Sequence, residues 1–346
     1  MKGSKYLFLS LLAVFLLLIL PASAEAEEPV GLSVCGVEVT AANQSDILGD
    51  GGSISYDSGS KTLTLQGDHQ GDQALNKTVE GGSFIHNESV DGLVIAVSGN
   101  VDVMFNGECA MQLNRSTTLT GGGSLSLDIT GSDGILISPS WEEIERSWDT
   151  GESLPAYALT IDGISLTVQG TIYHGIMGNY GSTLAVRGAD VDVQTIRSAI
   201  CDFYGGFSLE DCRLQTPSGG TIICGNVAEM IDGYPDYTAK VTITSENAKG
   251  FVTKSFMNEN GSSVGWTCDP TKNTFTATWD NPEDYEPLLV ASYDENGKFL
   301  GITVVEKTGE ETSDVLKNGV ADVAVFWLGE GSAPQCEEGR FSVAGK

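Results

Sequence analysis

A chain of 346 residues that sets 18 Lys and Arg against 47 Asp and Glu carries a formal charge of −29. So acidic a surface excludes a nucleic-acid clamp, which needs a basic footprint, and it repels polyanions unless divalent cations bridge the two. Low aromatic content and 43 glycines point to a turn-rich β protein.

The first residues read as an export signal. Lys2 and Lys5 precede the apolar run "YLFLSLLAVFLLLIL", which ends at Pro21 and the small-residue site Ala22-Ser23-Ala24. A basic start, an apolar middle and an A-x-A site make residues 1–24 a cleavable secretory signal peptide. Its removal takes two lysines and no acid, so −29 becomes −31. No later apolar run is long enough to span a bilayer. The expected location is therefore secreted or extracellular, with membrane contact only through the uncleaved signal. An oxidising compartment permits disulfides. The seven cysteines (35, 109, 201, 212, 224, 268, 336) contain no Cys-x-x-Cys pair, so the spacing favours interior thiols over zinc. Their pairing is not readable from spacing. Five Asn-x-Ser/Thr sequons (Asn43, Asn76, Asn87, Asn114, Asn260) are what a Ser/Thr/Asn-rich chain produces by chance.

Residues 30–70 predict an N-terminal cap. "SVCGVEVTAAN" and "SISYDSGSKTLTLQG" are strand-turn-strand units suited to seal an exposed sheet edge. "GLVIAVSGNVDVMFNG" and "TLTGGGSLSLDITGSDGI" then begin a rhythm. It is clearest where Leu159, Ile161, Gly163, Leu166 and Val168 match Leu184, Val186, Gly188, Val191 and Val193 at a shift of 25. A third copy, Phe207, Leu209, Asp211, Leu214 and Thr216, follows at a shift of 23. Ile135, Ile176, Ile200 and Ile222 keep time in a second element.

Each copy is a set of short alternating strands that cannot bury its apolar row alone, and stacking the copies in register makes a continuous core. The expected class is all-β, a right-handed parallel β-helix (β-solenoid) over residues 30–236. Alternation points Leu166, Val168, Val191 and Val193 inward and Ser165, Thr167, Asp190 and Asp192 outward. Outward ladders Ser165–Asp190–Arg213 and Thr167–Asp192–Gln215 follow. Past residue 236 the rhythm stops. Residues 237–346 read as a linker strand region and a small antiparallel β-sandwich, with "DENG" as a hairpin turn.

The stretch "VCGVEVTAANQSDILGDGGSISYDSGSKTLTLQG" and the glycine-punctuated copies resemble bacterial exported proteins of the carbohydrate-binding-domain, pectin-lyase-like β-helix family. The tail "LVASYDENGKFLGITVVE" with "VAVFWLGEGSAPQCE" is similar to a small β-sandwich module found at the C-termini of such surface proteins. The resemblance implies a cell-surface right-handed β-helix that binds polysaccharide and calcium. The insertion 139–155 and the cysteines depart from that pattern.

The insertion carries Trp141 and Trp148, seven apart among glutamates, so a short helix after "SPS" places both indoles on one face, where they can stack on sugar rings. The bland alternative packs them onto the protein side. Tyr180 and Tyr204, in the matching segments "NYG" and "FYGG", are expected to stack as neighbours with Tyr173 nearby, for binding or for turn stability. Asp190 and Asp192 share a face and could begin a calcium site completed by carbonyls. The competing expectation is a solvated acidic face with Asp190 paired to Arg213.

A lyase would need those acids beside a base such as Arg213 or Arg187, whereas a hydrolase wants clustered acids. His69, His86 and His174 have no adjacent nucleophile. The chain therefore reads as a non-catalytic, calcium-assisted polysaccharide-binding protein. A pectate-lyase-type enzyme and a structural spacer or adhesin are the alternatives.

Overall fold

The computed structural model describes residues 28–67, 74–231, 234–257, 261–280, 287–306, 312, 315–317, 319–328 and 340–343. The segment expected to be a signal peptide (residues 1–24), His69, Asn260 and Cys336 lie outside the described residues. The protein is all-β apart from one described helix, Trp141–Thr150.

Two long sheets face each other across one core. In the middle of each, strands run parallel and in register, so the sequence repeat becomes hydrogen bonding. In the twelve-stranded sheet Leu125, Leu166 and Val191 are successive partners, as are Leu127, Val168 and Val193. In the ten-stranded sheet Leu159 pairs Leu184 and Leu184 pairs Phe207. These side chains belong to a single buried cluster. Each contributes about 1.5–3 kcal/mol by leaving water. Their alternates, including Asp102, Asp128, Asp190 and Asp192, are exposed, as the two-residue period of a strand requires.

Glycine is needed where copies stack closest. A Cβ on Gly131 would overlap the Gly107 carbonyl, and one on Gly205 would overlap the Gly181 carbonyl. The backbones touch there, leaving no space for a side chain.

Antiparallel strands close both ends. At the start, Ile54–Asp57 pairs Thr62–Gln66, which then runs parallel to Leu93–Ser98. Leu32–Val34 runs antiparallel to Ile85–Asn87. At the far end the third expected copy stacks through its first strand, Gly206–Glu210, which runs parallel to Thr183–Arg187, but not through its second. Lys240–Thr244 enters antiparallel beside Asp190–Gln194, with Val191 opposite Ile243 and Asp192 opposite Thr242. Arg213–Thr216 pairs the outer side of this intruding strand, Arg213 opposite Thr244.

The ladders Ser165–Asp190–Arg213 and Thr167–Asp192–Gln215 therefore stop at Asp190 and Asp192. The reason is burial. Val241 and Ile243 cover Val191 and Val193 with two fully buried branched side chains, whereas Leu214 stays half-buried and Thr216 is polar. Both sheets continue past residue 236. The ten-stranded sheet ends with Val252–Met257, Ser263–Asp269 and Thr274–Trp279, all antiparallel.

Those last strands share a second core with a four-stranded antiparallel sheet. Its order is Phe299–Val305, Leu288–Tyr293, Asp322–Trp327 and Arg340–Ser342. Trp266 stacks on Phe275 at 5.6 Å between centroids, and Trp279 and Trp327 are buried beside them. The "DENG" turn joins the first two strands. Asp294 Oδ1 accepts from the N–H of Asn296 and of Lys298, and Gly297 takes the left-handed φ of +80°.

Candidate functional site: an aromatic corner

The helix Trp141–Thr150 is set by local chemistry. Ser140 caps it, its Oγ accepting from the Glu143 N–H while the Glu143 carboxylate accepts from the Ser140 N–H at 2.9 Å. Gly151, at φ +73°, ends it. Glu143 also ties the helix down. Its Oε2 lies 3.0 Å from Arg115 Nη1, and its Oε1 accepts from Tyr157 Oη at 2.8 Å. Burial pushes this carboxyl's pKa up. The Ser140 N–H, the Tyr157 hydroxyl and the Arg115 charge more than offset that and hold it below the ordinary value. The same hydrogen bond, added to burial, raises Tyr157 to about 12.

The anchored helix presents Trp141 and Trp148 on one face, 61% and 64% exposed. They do not fold back onto the sheets. Their centroids are 5.5 Å apart and their planes stand at 89°. Together they make an L-shaped wall, with one indole edge against the other's face, instead of a flat two-ring platform.

The helix is inserted between Ile137 and Ala158. Ile137 is the partner of Gly178, and Ala158 is the partner of Thr183. The turn carrying Tyr180 joins Gly178 to Thr183, and the turn carrying Tyr204 joins Cys201 to Gly206. The insertion that carries the two tryptophans and the turns that carry Tyr180 and Tyr204 thus leave the sheets at the same corner of three successive copies, whose strands lie about 4.8 Å apart.

Tyr180 and Tyr204 do not stack: no ring contact joins them among the described residues. Tyr180 has a left-handed φ of +49°, which turns its side chain out of the row, and Tyr204 is not in that conformation. Tyr204 instead donates its hydroxyl to Asp202 Oδ1 at 2.6 Å. Burial, then that carboxylate, push its pKa up.

Tyr237 completes the corner, and sequence reading missed it. It is exposed, on a strand paired with Asn226–Ile231. Its hydroxyl is raised by partial burial and by the nearby Cys224, Asp202 and Asp280. No repeat offset marks Tyr237, because its strand returns antiparallel outside the rhythm.

Tyr173 belongs elsewhere. It sits at the opposite end of the strand His174–Gly178, with the Arg197 guanidinium 5.1 Å above its ring. Next to it Asp133 Oδ1 lies 2.8 Å from His174 Nδ1, an arrangement across 41 residues that no local motif announced. Ser198 is the next register partner of His174, but no hydrogen bond joins them among the described residues. Cys109, the register partner of Asp133 on the other side, is buried, and burial followed by the Asp133 charge raises its thiol to about 12. The imidazole is held without an activated nucleophile beside it.

Asp190 and Asp192 line a shallow open depression with Ser165, Thr167, Thr242 and Glu246. Asp190 Oδ1 accepts from Ser245 N, Ser245 Oγ and Thr244 Oγ1, and Asp192 Oδ1 accepts from Thr242 Oγ1. Among the described residues no group of three His, Cys, Asp or Glu side chains is placed to hold a metal ion. The Oδ1 atoms of both carboxylates are already engaged by N–H and hydroxyl donors. Arg213, expected beside them, stands two strands away over Phe251. Arg187 is engaged with Glu210. The base that a lyase reading needed is not beside the acids.

The six described cysteines are free thiols. Burial followed by the Asp280 charge raises Cys224 to about 12, and burial raises Cys212 to about 12.

No protein-family model matches the chain, and neither does any curated protein or solved structure.

Proposed function

We propose that the protein is an exported, non-catalytic polysaccharide-binding protein built as a right-handed parallel β-helix with a C-terminal β-sandwich. In this reading it is a relative of the carbohydrate-binding-domain, pectin-lyase-like proteins that its cap resembles. The β-helix part rests on the in-register parallel pairing at 23- to 25-residue offsets in two sheets sharing one core. Export rests on the basic, apolar and A-x-A pattern of residues 1–24.

The observation that carries the binding reading is the corner itself. Trp141, Trp148, Tyr180, Tyr204 and Tyr237 are all more than one third exposed, on an anchored helix, two successive turns and the strand that returns beside them. Large apolar rings left in water cost free energy, and apolar sugar faces recover it by stacking. The L-shaped indole pair suits a chain that turns a sugar face onto one ring and an edge onto the other. Asp202, already accepting from Tyr204, supplies an acceptor for a sugar hydroxyl.

The test is affinity electrophoresis of the mature protein in gels holding neutral and acidic polysaccharides, with calcium and with chelator, while unsaturated product is followed by absorbance. Retardation that Trp141→Ala and Trp148→Ala remove, unaffected by chelator and without product, is the expected result. Product formation would replace the proposal with a lyase. Absence of retardation on every polysaccharide would leave a spacer or adhesin.

A further inference from the structure

The strand Phe299–Val305 is the outer strand of the four-stranded sheet, paired only with Leu288–Tyr293 among the described residues. An outer strand normally carries a charge, a proline or an inward lysine that blunts it against pairing with another chain. This one has none: its seven residues read Phe-Leu-Gly-Ile-Thr-Val-Val. Its one irregularity, a bulge that sets Leu300 off between Phe299 and Gly301, lies at the turn end.

Exposure on this strand is inverted. Leu300, Ile302 and Val304, alternate residues of one face, are 47%, 58% and 49% exposed, while Val305 is buried. They are not isolated, because the same face continues inward through the register partners Val304–Leu289–Phe326 and Ile302–Ala291–Ala324. A row of half-exposed aliphatic side chains along an unblunted edge is a surface shaped for another strand.

The charges at its ends say which strand. Lys298 precedes it and Glu306 follows it, both exposed. If a second copy is laid antiparallel about a two-fold axis through Ile302, Lys298 falls opposite Glu306 of the other copy, twice. Leu300 falls opposite Val304, and Ile302 opposite itself. An isologous contact needs this self-complementarity. In a chain of net charge −29, where self-repulsion is the rule, this strand is uncharged along its length and opposite in sign at its two ends.

We propose that the protein forms a two-fold homodimer by antiparallel pairing of Phe299–Val305 with its counterpart, joining two four-stranded sheets edge to edge. The contact lies in the C-terminal sheet, outside the strands that carry the aromatic corner. Dimerisation would therefore give two glycan-facing corners on one particle and raise affinity for a long chain through effective concentration.

Sedimentation equilibrium of the full mature chain over a dilution series tests this, with circular dichroism and thermal melting as controls for folding. The wild type is expected to dimerise reversibly, and Ile302→Lys, at an exposed position, to be a folded monomer. Lys298→Glu and Glu306→Lys are each expected to weaken the dimer about tenfold, since each sets two like-charge pairs face to face. The double reversal is expected to recover it. Under oxidation, Ile302→Cys is expected to crosslink to a dimer in which the two thiols lie within disulfide reach. A wild type that stays monomeric throughout would overturn the proposal, even if the strand were found to bind some other protein. A dimer that tolerates Ile302→Lys would place the contact elsewhere, and failure of the double reversal to rescue would overturn the register.

Discussion

Replacing Glu143 by Ala isolates the contact that holds the tryptophan helix in place. The carboxylate makes three interactions at once: with the Ser140 N–H, with Arg115 Nη1 and with the Tyr157 hydroxyl. Its side chain is only 11% exposed. A capping interaction is worth about 1 kcal/mol, and a hydrogen bond to a charged group about 1.5–3 kcal/mol. Because one carboxylate serves all three, these do not add, and about 2–4 kcal/mol is the expected loss.

That cost falls on the helix more than on the core. A ten-residue helix is not stable by itself in water, and this one buries only Ile144. The loss converts, at about 1.4 kcal/mol per decade, to a fall of roughly thirty- to several-hundred-fold in amide exchange protection over residues 144–151. Protection of the Leu159–Leu184–Phe207 strands is expected to stay unchanged. Native-state hydrogen exchange reads both regions in one experiment. Glu143→Gln keeps one acceptor and loses the charge, and an intermediate effect of about 1–2 kcal/mol is expected.

The pH dependence has a definite sign. The folded pKa of Glu143 is lowered, so its contribution is fully present above the ordinary carboxylate value near 4.5. It is lost as the pH falls through the lowered folded value. Polysaccharide retardation is expected to weaken in Glu143→Ala nearly as much as in Trp141→Ala. If protection over 144–151 is unchanged in Glu143→Ala, the anchoring argument is wrong and the helix is held by something else.

Three further outcomes are expected. Gly170→Ala, at φ +135° with the Ile129 carbonyl where a Cβ would sit, is expected to cost more than about 2 kcal/mol, or to prevent folding, as read from the urea midpoint; a change under about 0.5 kcal/mol would show that the copies stack less closely than described. Ile243→Ala opens a hole beside Val191 in the strand that displaced the second strand of the third copy and is expected to cost about 2–5 kcal/mol, whereas Leu214→Ala, half-buried outside it, is expected to cost clearly less; equal costs would contradict the strand order. Finally, Cys109 and Cys212 have folded values near 12 against an ordinary thiol value of 9. Their neutral forms favour the fold fully below about pH 9, and stability then falls toward pH 12 by about 1.4 kcal/mol per pH unit for each thiol. Denaturation midpoints across that window are expected to decline, less steeply in Cys212→Ala, and a flat profile would count against buried neutral thiols.

Much of this molecule is written in its spacing. A strand alternates faces every residue, so Leu159, Ile161, Leu184 and Val186 declare an inward row, and a constant offset of 25 declares that the rows stack. Hairpin turns with Asn-Gly and a helix opened by Ser140 with Glu143 are equally local, since their hydrogen bonds close within a few residues. That Trp141 and Trp148 share one helix face follows from a seven-residue spacing; that this face stays in water goes with the anchoring of Glu143 to Arg115 and Tyr157, which the spacing does not show.

What the sequence left open depends on competition between segments far apart. Phe207–Thr216 matches the repeat, yet Val241 and Ile243 fill the apolar edge of Asp190–Gln194 better than Leu214 and Thr216 do, and burial decides between them. That choice moved Arg213 away from Asp190, gave Asp190 to Ser245, and brought Tyr237 to the aromatic corner. The pairing of Asp133 with His174 across 41 residues is of the same kind. Local pattern fixes which face each residue shows. Which strand lies beside which is settled by the apolar area each candidate can bury, and that comparison exists only once the chain has folded.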